Sequence, residues 1–163
     1  MLLNNRLQTF LQDNNIISSC QIGFIKKKRT VDHIFVLKCI IEEAKSKKQP
    51  IYGCFVDFQK AFDTIWIKGL LYKLLHKYAL NPKFVRLLNN MYSKLKTCVS
   101  SNGNLGKTFD ITVGTRQGCN LSPSLFNLYI NDIPSLRNKG NCNPVDLYNA
   151  KLTVGCMLTT CWY

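Results

Sequence analysis

Residues 51–63 read IYGCFVDFQKAFD and combine a short aromatic and β-branched run with two aspartates. Pro50 bounds the run on one side, so residues 51–58 are predicted to form a buried strand with Asp57 near its C-terminal end. A carboxylate at the end of a strand, backed by a dry core, is one way to hold magnesium for phosphoryl transfer. A turn or helix-cap aspartate is the ordinary alternative. The segment by itself leaves both interpretations open.

The following segment predicts two helices and then a pair of strands. Apolar residues recur at helical spacing over residues 67–80, and Asn81-Pro82 supplies a cap and a first-turn residue for a second helix to about residue 95. Over residues 95–113 the sequence alternates on either side of Asn102-Gly103, a pair that suits the positive φ values of a tight turn. We therefore expect a helical hairpin followed by a β-hairpin.

A glycine-punctuated loop, GTRQGCNLSP (114–123), leads into a predicted helix from Pro123 to Asp132. An arginine and a glutamine beside Gly118, followed by a helix opening at Ser122-Pro123, would place donors and bare backbone near a nucleotide. The helix N-terminus would favour its phosphates. An ordinary loop-to-helix junction, with Ser122 as the cap, explains the same residues equally well.

Two helices are predicted before the opening stretch. Apolar residues at helical spacing indicate a short amphipathic helix over residues 2–12. After a linker with the basic run KKKR (26–29), Thr30 is expected to cap a second helix that fades before Pro50. Five apolar residues are predicted to face inward from this second helix: Val31, Ile34, Phe35, Ile40 and Ile41. AKLTVGC (150–156) predicts the start of one more strand. Because the chain mixes predicted helices and strands without an internal repeat, it is of the α+β class.

The composition favours a polyanionic partner. Among 163 residues, 22 Lys and Arg outnumber 9 Asp and Glu, which gives a net charge of +13. Nucleic acid is therefore the first candidate partner and an anionic membrane surface the second. The 8 cysteines contain no CxxC pair, which predicts reduced thiols rather than a zinc or disulfide framework. With no signal peptide and no apolar run of roughly 20 residues, we expect an intracellular protein, nuclear or cytoplasmic, that is neither secreted nor membrane-bound.

Taken in order, these segments resemble the reverse transcriptase domain of non-LTR, LINE-type retrotransposons. Residues 4–37 are similar to the family's finger region, FVDFQKAFD (55–63) to its first palm motif, and RQGCNLSPSLFNLYIND (116–132) to its second. Signature residues of the finger region are Gln21, Gly23, Phe24, Thr30 and Asp32. Three ordered motifs are far more specific than any one of them.

The resemblance implies a partial right-hand polymerase with packed helices and an antiparallel palm sheet. Residues 1–50 would be a remnant of the fingers and residues 51–163 an incomplete palm, truncated before the thumb. The two predicted hairpins would form an insertion at about residues 67–115. Both parts would belong to one reverse transcriptase domain, whose implied partners are an RNA template, a DNA primer and deoxynucleotides. The oligomeric state is left open.

The resemblance also assigns roles at the site. Asp57 would be the catalytic carboxylate and would ligate two Mg²⁺ ions about 4 Å apart. Phe62 would sit beneath the sugar and fill the space of a 2′-hydroxyl, with core packing as the alternative. Gln117 and Gly118 would contact the incoming nucleotide. The two residues that would shape the helix beneath the template are Ser122 and Pro123.

The basic run of Lys26, Lys27, Lys28 and Arg29 suits contacts to template phosphates, which make binding depend on salt. A solvated loop explains the run nearly as well. The run also fits a nuclear-localisation signal, at the low specificity of such patterns.

One motif of the family is missing from the protein sequence. A working enzyme needs Tyr-Ala-Asp-Asp just after KLTVGC (151–156), because one carboxylate does not hold two magnesium ions. Codons permitted for Cys156–Tyr163 can spell Tyr-Ala-Asp-Asp-Leu-Leu-Val when they are read from the third base. We hypothesise that a small insertion or deletion near Thr153 shifts the reading frame through this motif.

We therefore predict a fragment of an RNA-directed DNA polymerase, a nucleotidyltransferase, that is inactive as an isolated chain. One rival is a basic nucleic-acid-binding remnant without chemistry. Another is a functionless pseudogene product, marginally folded because an apolar sheet edge is exposed.

Overall fold

A computed structural model of the chain describes residues 2–53, 55–116, 118–136, 145–147 and 150–152. The chain divides into two packed units. The first unit comprises Met1–Gln8 and Lys60–Tyr129, and the second comprises Thr9–Gln59 and Ile130–Tyr163. Helices and short antiparallel strand pairs make up both units, in agreement with the predicted α+β class. The right-hand architecture and the boundary between fingers and palm near residue 50 stay predictions.

The first helix, α1, spans Leu2–Asp13 and confirms the predicted amphipathic helix. Leu7 and Leu11, one turn apart on its apolar stripe, are both buried. The helix ends where the Asn14 side-chain amide donates to the Phe10 carbonyl over 2.8 Å and Asn15 takes a φ of 48°. Asparagine tolerates this left-handed conformation, so the sequence QDNN stops the helix as expected.

Helix α2 spans Thr30–Ser46, close to its predicted bounds, but Thr30 is its first residue and not its cap. The capping position belongs to Arg29, whose backbone N–H donates to the Asp32 carboxylate over 2.9 Å. A carboxylate in the first turn satisfies this donor and opposes the positive end of the helix dipole. The charge-assisted bond to Asp32 therefore fixes the helix start one residue earlier than predicted.

The predicted inward face of α2 is wrong for most of its residues. Val31, Ile34 and Phe35 are 67%, 61% and 65% exposed, and Ile41 is also exposed, while Ile40 is half-buried. A helical period identifies an apolar face, but that face is buried only where another element covers it. Helix α2 packs against strand β5 (Val145–Leu147), and three residues cannot cover a helix of 17.

The predicted strand over residues 51–58 is also wrong. Residues 51–53 and 55–58 have no regular secondary structure, and Tyr52 and Phe55 are 90% and 86% exposed. None of the described strands pairs with this segment. A strand is stable only when a neighbour satisfies its backbone N–H and C=O groups, so β-propensity alone does not make one here.

The predicted helical hairpin is present in the first unit. Helix α3 spans Ile67–Tyr72 and continues as a π-helical turn over Lys73–Lys77, and α4 spans Pro82–Tyr92. The Asn81 side chain accepts the Lys83 backbone N–H over 2.9 Å, which confirms the predicted cap. Helices α3 and α4 pack together around buried Leu70, Leu74 and Leu88.

The predicted β-hairpin is present as two short ladders. Strand β1 (Lys96–Thr97) pairs with β4 (Phe109–Asp110), and β2 (Ser100–Ser101) pairs with β3 (Asn104–Leu105), both antiparallel. Asn102 and Gly103 form the turn with φ values of 50° and 81°. These positive angles are the reason that Asn-Gly is favoured in such turns.

Helix α5 spans Ser122–Ile130, and the short helix α6 follows at Ile133–Leu136. Leu125, Phe126 and Leu128 of α5 are at most 2% exposed, so the apolar side of this helix is deeply buried. Strand β5 pairs with β6 (Ala150–Leu152), which confirms the start of the strand predicted after residue 150. Residues 153–156 of that prediction lie outside the described residues. No helix in the described ranges is long and apolar enough to cross a membrane.

Candidate functional site

The turn after the first motif is fastened to the loop of the second motif by backbone hydrogen bonds. The Thr115 N–H donates to the Phe62 carbonyl over 2.7 Å, and the Thr115 hydroxyl lies 3.3 Å from the same oxygen. The Gly114 N–H donates to the Ile65 carbonyl over 2.9 Å. Because backbone bonds do not depend on side-chain rotamers, they hold the two loops at a fixed separation.

Gly114 is required at this junction by space and by conformation. Its φ is 91°, and a Cβ atom there would lie 2.6 Å from the Asp63 carbonyl oxygen and 2.8 Å from the Asp63 Cα. These are backbone atoms that cannot move aside. Only glycine combines the positive φ with such a close approach of two chains.

Phe62 packs on α5 through its aromatic ring. The ring centroids of Phe62 and Phe126 are 5.0 Å apart and the planes are tilted by 39°. Phe126 is 2% exposed, whereas Phe62 is only half-buried. The buried ring therefore fixes the half-buried one, which keeps apolar surface available to a ligand. Core packing and a platform for a sugar are both compatible with this position.

The loop of the second motif is closed by Ser122. The Ser122 hydroxyl donates to the Arg116 carbonyl over 2.6 Å, and the Ser122 N–H donates to the Cys119 carbonyl over 3.0 Å. Gly118, inside this closed loop, is exposed, has a φ of 76° and has nothing within 4 Å of the position of a Cβ. The loop thus presents bare backbone at Gly118, as the sequence pattern predicted.

Tyr92 of α4 approaches the same loop from the first unit's interior. Burial raises the pKa of the Tyr92 hydroxyl, the hydrogen bond with Ser122 lowers it, and Cys119 adds to the increase. The hydroxyl therefore stays protonated at neutral pH and supports Ser122 as a neutral hydrogen-bond partner. Pro123, the next residue, is half-buried in the first turn of α5. Gln117 lies outside the described residues.

Asp57 is exposed and belongs to the second unit, in the segment without regular structure. Within the described ranges, no three His, Cys, Asp or Glu side chains come together as a metal site. Magnesium needs six oxygen ligands in near-octahedral geometry, of which a protein commonly supplies one or two carboxylates. A single exposed carboxylate does not hold the two ions of the predicted scheme, so the described residues do not fit a complete two-magnesium centre.

In the basic run before α2, three side chains are exposed and the fourth donates hydrogen bonds to backbone carbonyls. Lys26, Lys27 and Arg29 are exposed. The Lys28 ammonium group instead donates to the Ser19 and Gln21 carbonyls, over 2.9 and 3.1 Å. Lys28 therefore closes its own loop, while a phosphate contact by the run stays a prediction for all four residues.

Asn131 is a polar residue whose role the sequence analysis missed. Its Oδ1 accepts the Ser18 N–H over 2.8 Å and the Gln21 side-chain amide over 3.0 Å, while its Nδ2 donates to the Ile16 carbonyl over 2.8 Å. Gln21 is 1% exposed. One side chain thus joins the end of the second motif to the finger signature. The signal available in the sequence was an amide in both motifs, Gln21 and Asn131.

Comparison with known proteins assigns a class to this arrangement of motifs. The family described as reverse transcriptase (RNA-dependent DNA polymerase) matches residues 1–154, and the chain belongs to this family. The family is the one that the resemblance indicated.

Relatives of the chain include RNA-directed DNA polymerases from mobile elements. The chain is 31% identical over 134 residues to the RNA-directed DNA polymerase from mobile element jockey of Drosophila funebris, and 30% identical to its counterpart in Drosophila melanogaster. It is 26% identical over 144 residues to the probable RNA-directed DNA polymerase from transposon BS of Drosophila melanogaster. Each match covers 82% of this chain and 14% of the relative's length.

Proposed function

We propose that the chain is a part of an RNA-directed DNA polymerase and supplies the nucleotide-facing portion of its reverse transcriptase domain. The observation that carries the proposal is the fastening of the first motif to the second, through the 2.7 Å bond from Thr115 to Phe62. This bond keeps an aromatic ring and a bare glycine loop in one packed unit. Copying an RNA template into DNA is the activity that such a unit would serve.

The two loops have complementary tasks toward a deoxynucleotide. The half-buried ring of Phe62, held by Phe126, would lie beneath the sugar and leave no room for a 2′-hydroxyl. Gln117 and Gly118 would contact the nucleotide, and the exposed backbone at Gly118 allows the close approach that this requires. Ser122 and Pro123 would shape the start of α5 beneath the template.

Asp57 would be the residue that ligates magnesium, which supplies charge neutralisation for nucleotidyl transfer when it is bound. Because the described residues do not complete a two-metal centre, we propose that the isolated chain binds template, primer and nucleotide but does not extend the primer. Nuclear or cytoplasmic residence agrees with this role.

A primer-extension assay with Mg²⁺ tests the absence of activity. We expect no incorporation by the chain and no change in Asp57→Asn. Incorporation that Asp57→Asn abolishes and Asp110→Asn retains would show that the chain is an active polymerase. Asp110 is the matched control because it is also an exposed aspartate, 3.9 Å from Lys96.

Binding of a fluorescent deoxynucleoside triphosphate to the chain with primer–template tests the nucleotide site. Phe62→Val should reduce the preference for the deoxynucleotide over the ribonucleotide, because the smaller side chain leaves room for a 2′-hydroxyl. Phe109→Val removes an exposed ring from β4 and should leave the preference unchanged. An equal preference in all three chains would contradict the assigned role of Phe62.

A non-catalytic nucleic-acid-binding protein is the second candidate. The observation that favours it is that the described residues contain no group of three His, Cys, Asp or Glu side chains able to hold a metal ion, together with the net charge of +13. It predicts salt-dependent binding of nucleic acid with no preference between deoxynucleotides and ribonucleotides. The nucleotide-binding comparison therefore separates the two candidates.

A further inference from the structure

Three exposed rings, called the stripe below, lie between the residue before α3 and the π-helical turn that follows it. The stripe consists of Trp66, Tyr72 and His76. Trp66 and Tyr72 are 60% and 66% exposed, and His76 is also exposed. The rings of Tyr72 and His76 lie 4.5 Å apart, tilted by 36°. Exposed aromatic surface that is concentrated within 11 residues often marks a binding site.

The Trp66 ring lies against the backbone of α3 at Gly69. A Cβ atom at Gly69 would come within 3.0 Å of three atoms of the Trp66 ring. The indole therefore lies against the backbone where glycine provides the space, and its other side faces solvent. A ring supported on one face and open on the other is a platform on which a flat group can stack.

The segment of chain that carries the stripe, between Asp63 and Asp110, is basic. Residues 64–109 contain 8 Lys and Arg and no Asp or Glu. Lys68 is exposed and precedes Tyr72 by four residues, so the two side chains are neighbours on the same side of the helix. The further cations of the helical hairpin are Lys73, Lys77, Lys83, Arg86 and Lys94. Complementarity of charge therefore points to a polyanion that also carries flat aromatic groups.

The local backbone supports a functional interpretation. The Tyr78 N–H donates to the Lys73 carbonyl over 3.0 Å, which is the i to i−5 bond of a π-helical turn. Such turns are rare and occur frequently at functional sites. The Lys73 ammonium group donates to the Tyr129 carbonyl over 2.6 Å, so the turn is anchored within its own unit. The outward rings are thus carried by a rigid support.

We propose that the stripe of Trp66, Tyr72 and His76 binds single-stranded RNA, with bases stacked on the rings and a phosphate neutralised by Lys68. A single strand is favoured over a duplex because only unpaired bases offer their faces to protein rings. The choice of RNA rests on the proposed function, in which the template is RNA. Binding at the stripe itself requires neither magnesium nor nucleotide.

Fluorescence anisotropy of a labelled single-stranded RNA oligonucleotide, titrated with the full chain without Mg²⁺ or nucleotide, tests the proposal. Trp66→Leu and Tyr72→Leu should each weaken binding about fivefold or more, because each removes a stacking platform. Tyr72→Phe should bind like the wild type, since it keeps the ring. Phe35→Leu, which removes an equally exposed ring from α2, is the matched control and should also bind like the wild type.

The salt dependence of the same titration tests the role of Lys68. Lys68→Ala should reduce the slope of log affinity against log salt by about 0.7, the value for one phosphate of a single strand. Lys38→Ala removes an exposed lysine of α2 that lies 3.7 Å from Glu42, and should leave the slope unchanged. Circular dichroism and melting of each variant identify any change that comes from unfolding. A variant that unfolds is replaced by Trp66→Met or Tyr72→Met, which also removes the ring but keeps a long apolar side chain.

Three results would overturn the proposal. The ring variants could bind RNA as well as the wild type, duplex DNA could compete as strongly as single-stranded RNA, or the ring variants could abolish a concentration-dependent dimer instead of RNA binding. The last result would make the stripe a contact with a second copy of the chain. RNA binding that depends on the stripe, without nucleotide preference at Phe62, would keep this inference and reject the proposed function, and the converse result would do the opposite.

Discussion

The backbone N–H of Thr115 donates to the carbonyl oxygen of Phe62 over 2.7 Å, although the two residues are 53 positions apart in the sequence. The helical hairpin and the β-hairpin occupy the intervening chain and return it to the same place. Two loops that are distant in the sequence are therefore joined by backbone N–H and C=O groups. Gly114 makes this close approach possible, because a Cβ atom there would collide with the Asp63 backbone.

Replacement of Gly114 by alanine should destabilise the chain by about 2 kcal/mol or more. The alanine would pay about 1–2 kcal/mol for a left-handed conformation, and its Cβ would also collide with backbone atoms of Asp63. Gly103→Ala is the matched control, because Gly103 has a similar φ of 81° but nothing within 4 Å. The difference between the two free energies of unfolding in urea isolates the collision, and equal values would show that the junction has room.

The contact between Phe62 and Phe126 should appear as a coupling energy. Phe126→Ala removes a ring that is 2% exposed and should cost about 3–5 kcal/mol, whereas Phe62→Ala removes a half-buried ring and should cost less. A double-mutant cycle should give a coupling of about 0.5–1.5 kcal/mol, as for other aromatic pairs. Strictly additive effects would mean that the rings, 5.0 Å apart, do not support one another.

The elements that the sequence predicted correctly are those that local chemistry determines. Asn81 caps α4, and Asn102 with Gly103 makes the hairpin turn, because both need only the residue's own side chain or φ preference. The strand at 51–58 and the inward face of α2 failed because each requires a second element to cover it. Periodicity reports which residues could be buried, and only tertiary packing decides which are.

The candidate site was predictable in its residue types and not in its contacts. The glycine and serine of the second motif indicated bare backbone and a helix start, which the structure places at Gly118 and Ser122. The bond from Thr115 to Phe62 joins backbone atoms, so no residue type in the sequence predicts it. The stripe at Trp66 was not predicted, because single aromatic residues in a helix usually indicate a buried core position. The absence of acidic residues from residues 64–109 was nevertheless visible in the sequence.

Asn131 should be one of the most sensitive polar residues of the second unit. Asn131→Ala would leave the Ser18 N–H, the Gln21 amide and the Ile16 carbonyl without this partner, in a place where Gln21 is 1% exposed. The expected loss is about 1–3 kcal/mol in the free energy of unfolding, from the unpaired groups. Asn90→Ala changes an exposed asparagine of α4 and should stay within about 0.5 kcal/mol. A similar loss in both variants would argue against the proposed bridging role.

His33 should make the stability of the chain fall at mildly acidic pH. Burial lowers the pKa of His33 below its ordinary value of 6.5, Lys28 lowers it further and Asp32 raises it. As the pH falls below 6.5, the unfolded chain takes up a proton that the folded chain resists, so the folded state loses stability. Urea midpoints should decrease between pH 7.5 and 5.5, and His33→Gln should reduce this decrease. His76→Gln, at the other of the 2 histidines, is the control, and an equal reduction there would contradict the assignment.

The DNA that encodes residues 153–163 should contain the missing motif in a neighbouring frame. The residues Thr159 and Thr160 are the informative ones, because the fixed first two bases of each threonine codon become the last two bases of an aspartate codon after the shift. The family match ends at residue 154, beside the point near Thr153 where we place the insertion or deletion. Sequencing the locus and its transcript should read Tyr-Ala-Asp-Asp from the third base of the Cys156 codon.

A transcript that encodes no such motif in either shifted frame would refute the frame hypothesis, whatever the chain binds. If the motif is there, restoring the frame adds two adjacent aspartates to the single carboxylate of Asp57. The restored chain should then bind Mg²⁺ more tightly than the present one, because a site with more carboxylates neutralises the ion better. Isothermal titration with Mg²⁺ measures this gain. Asp57→Asn should remove it in the restored chain, because the gain requires carboxylates from both motifs, whereas Asp110→Asn should leave it intact.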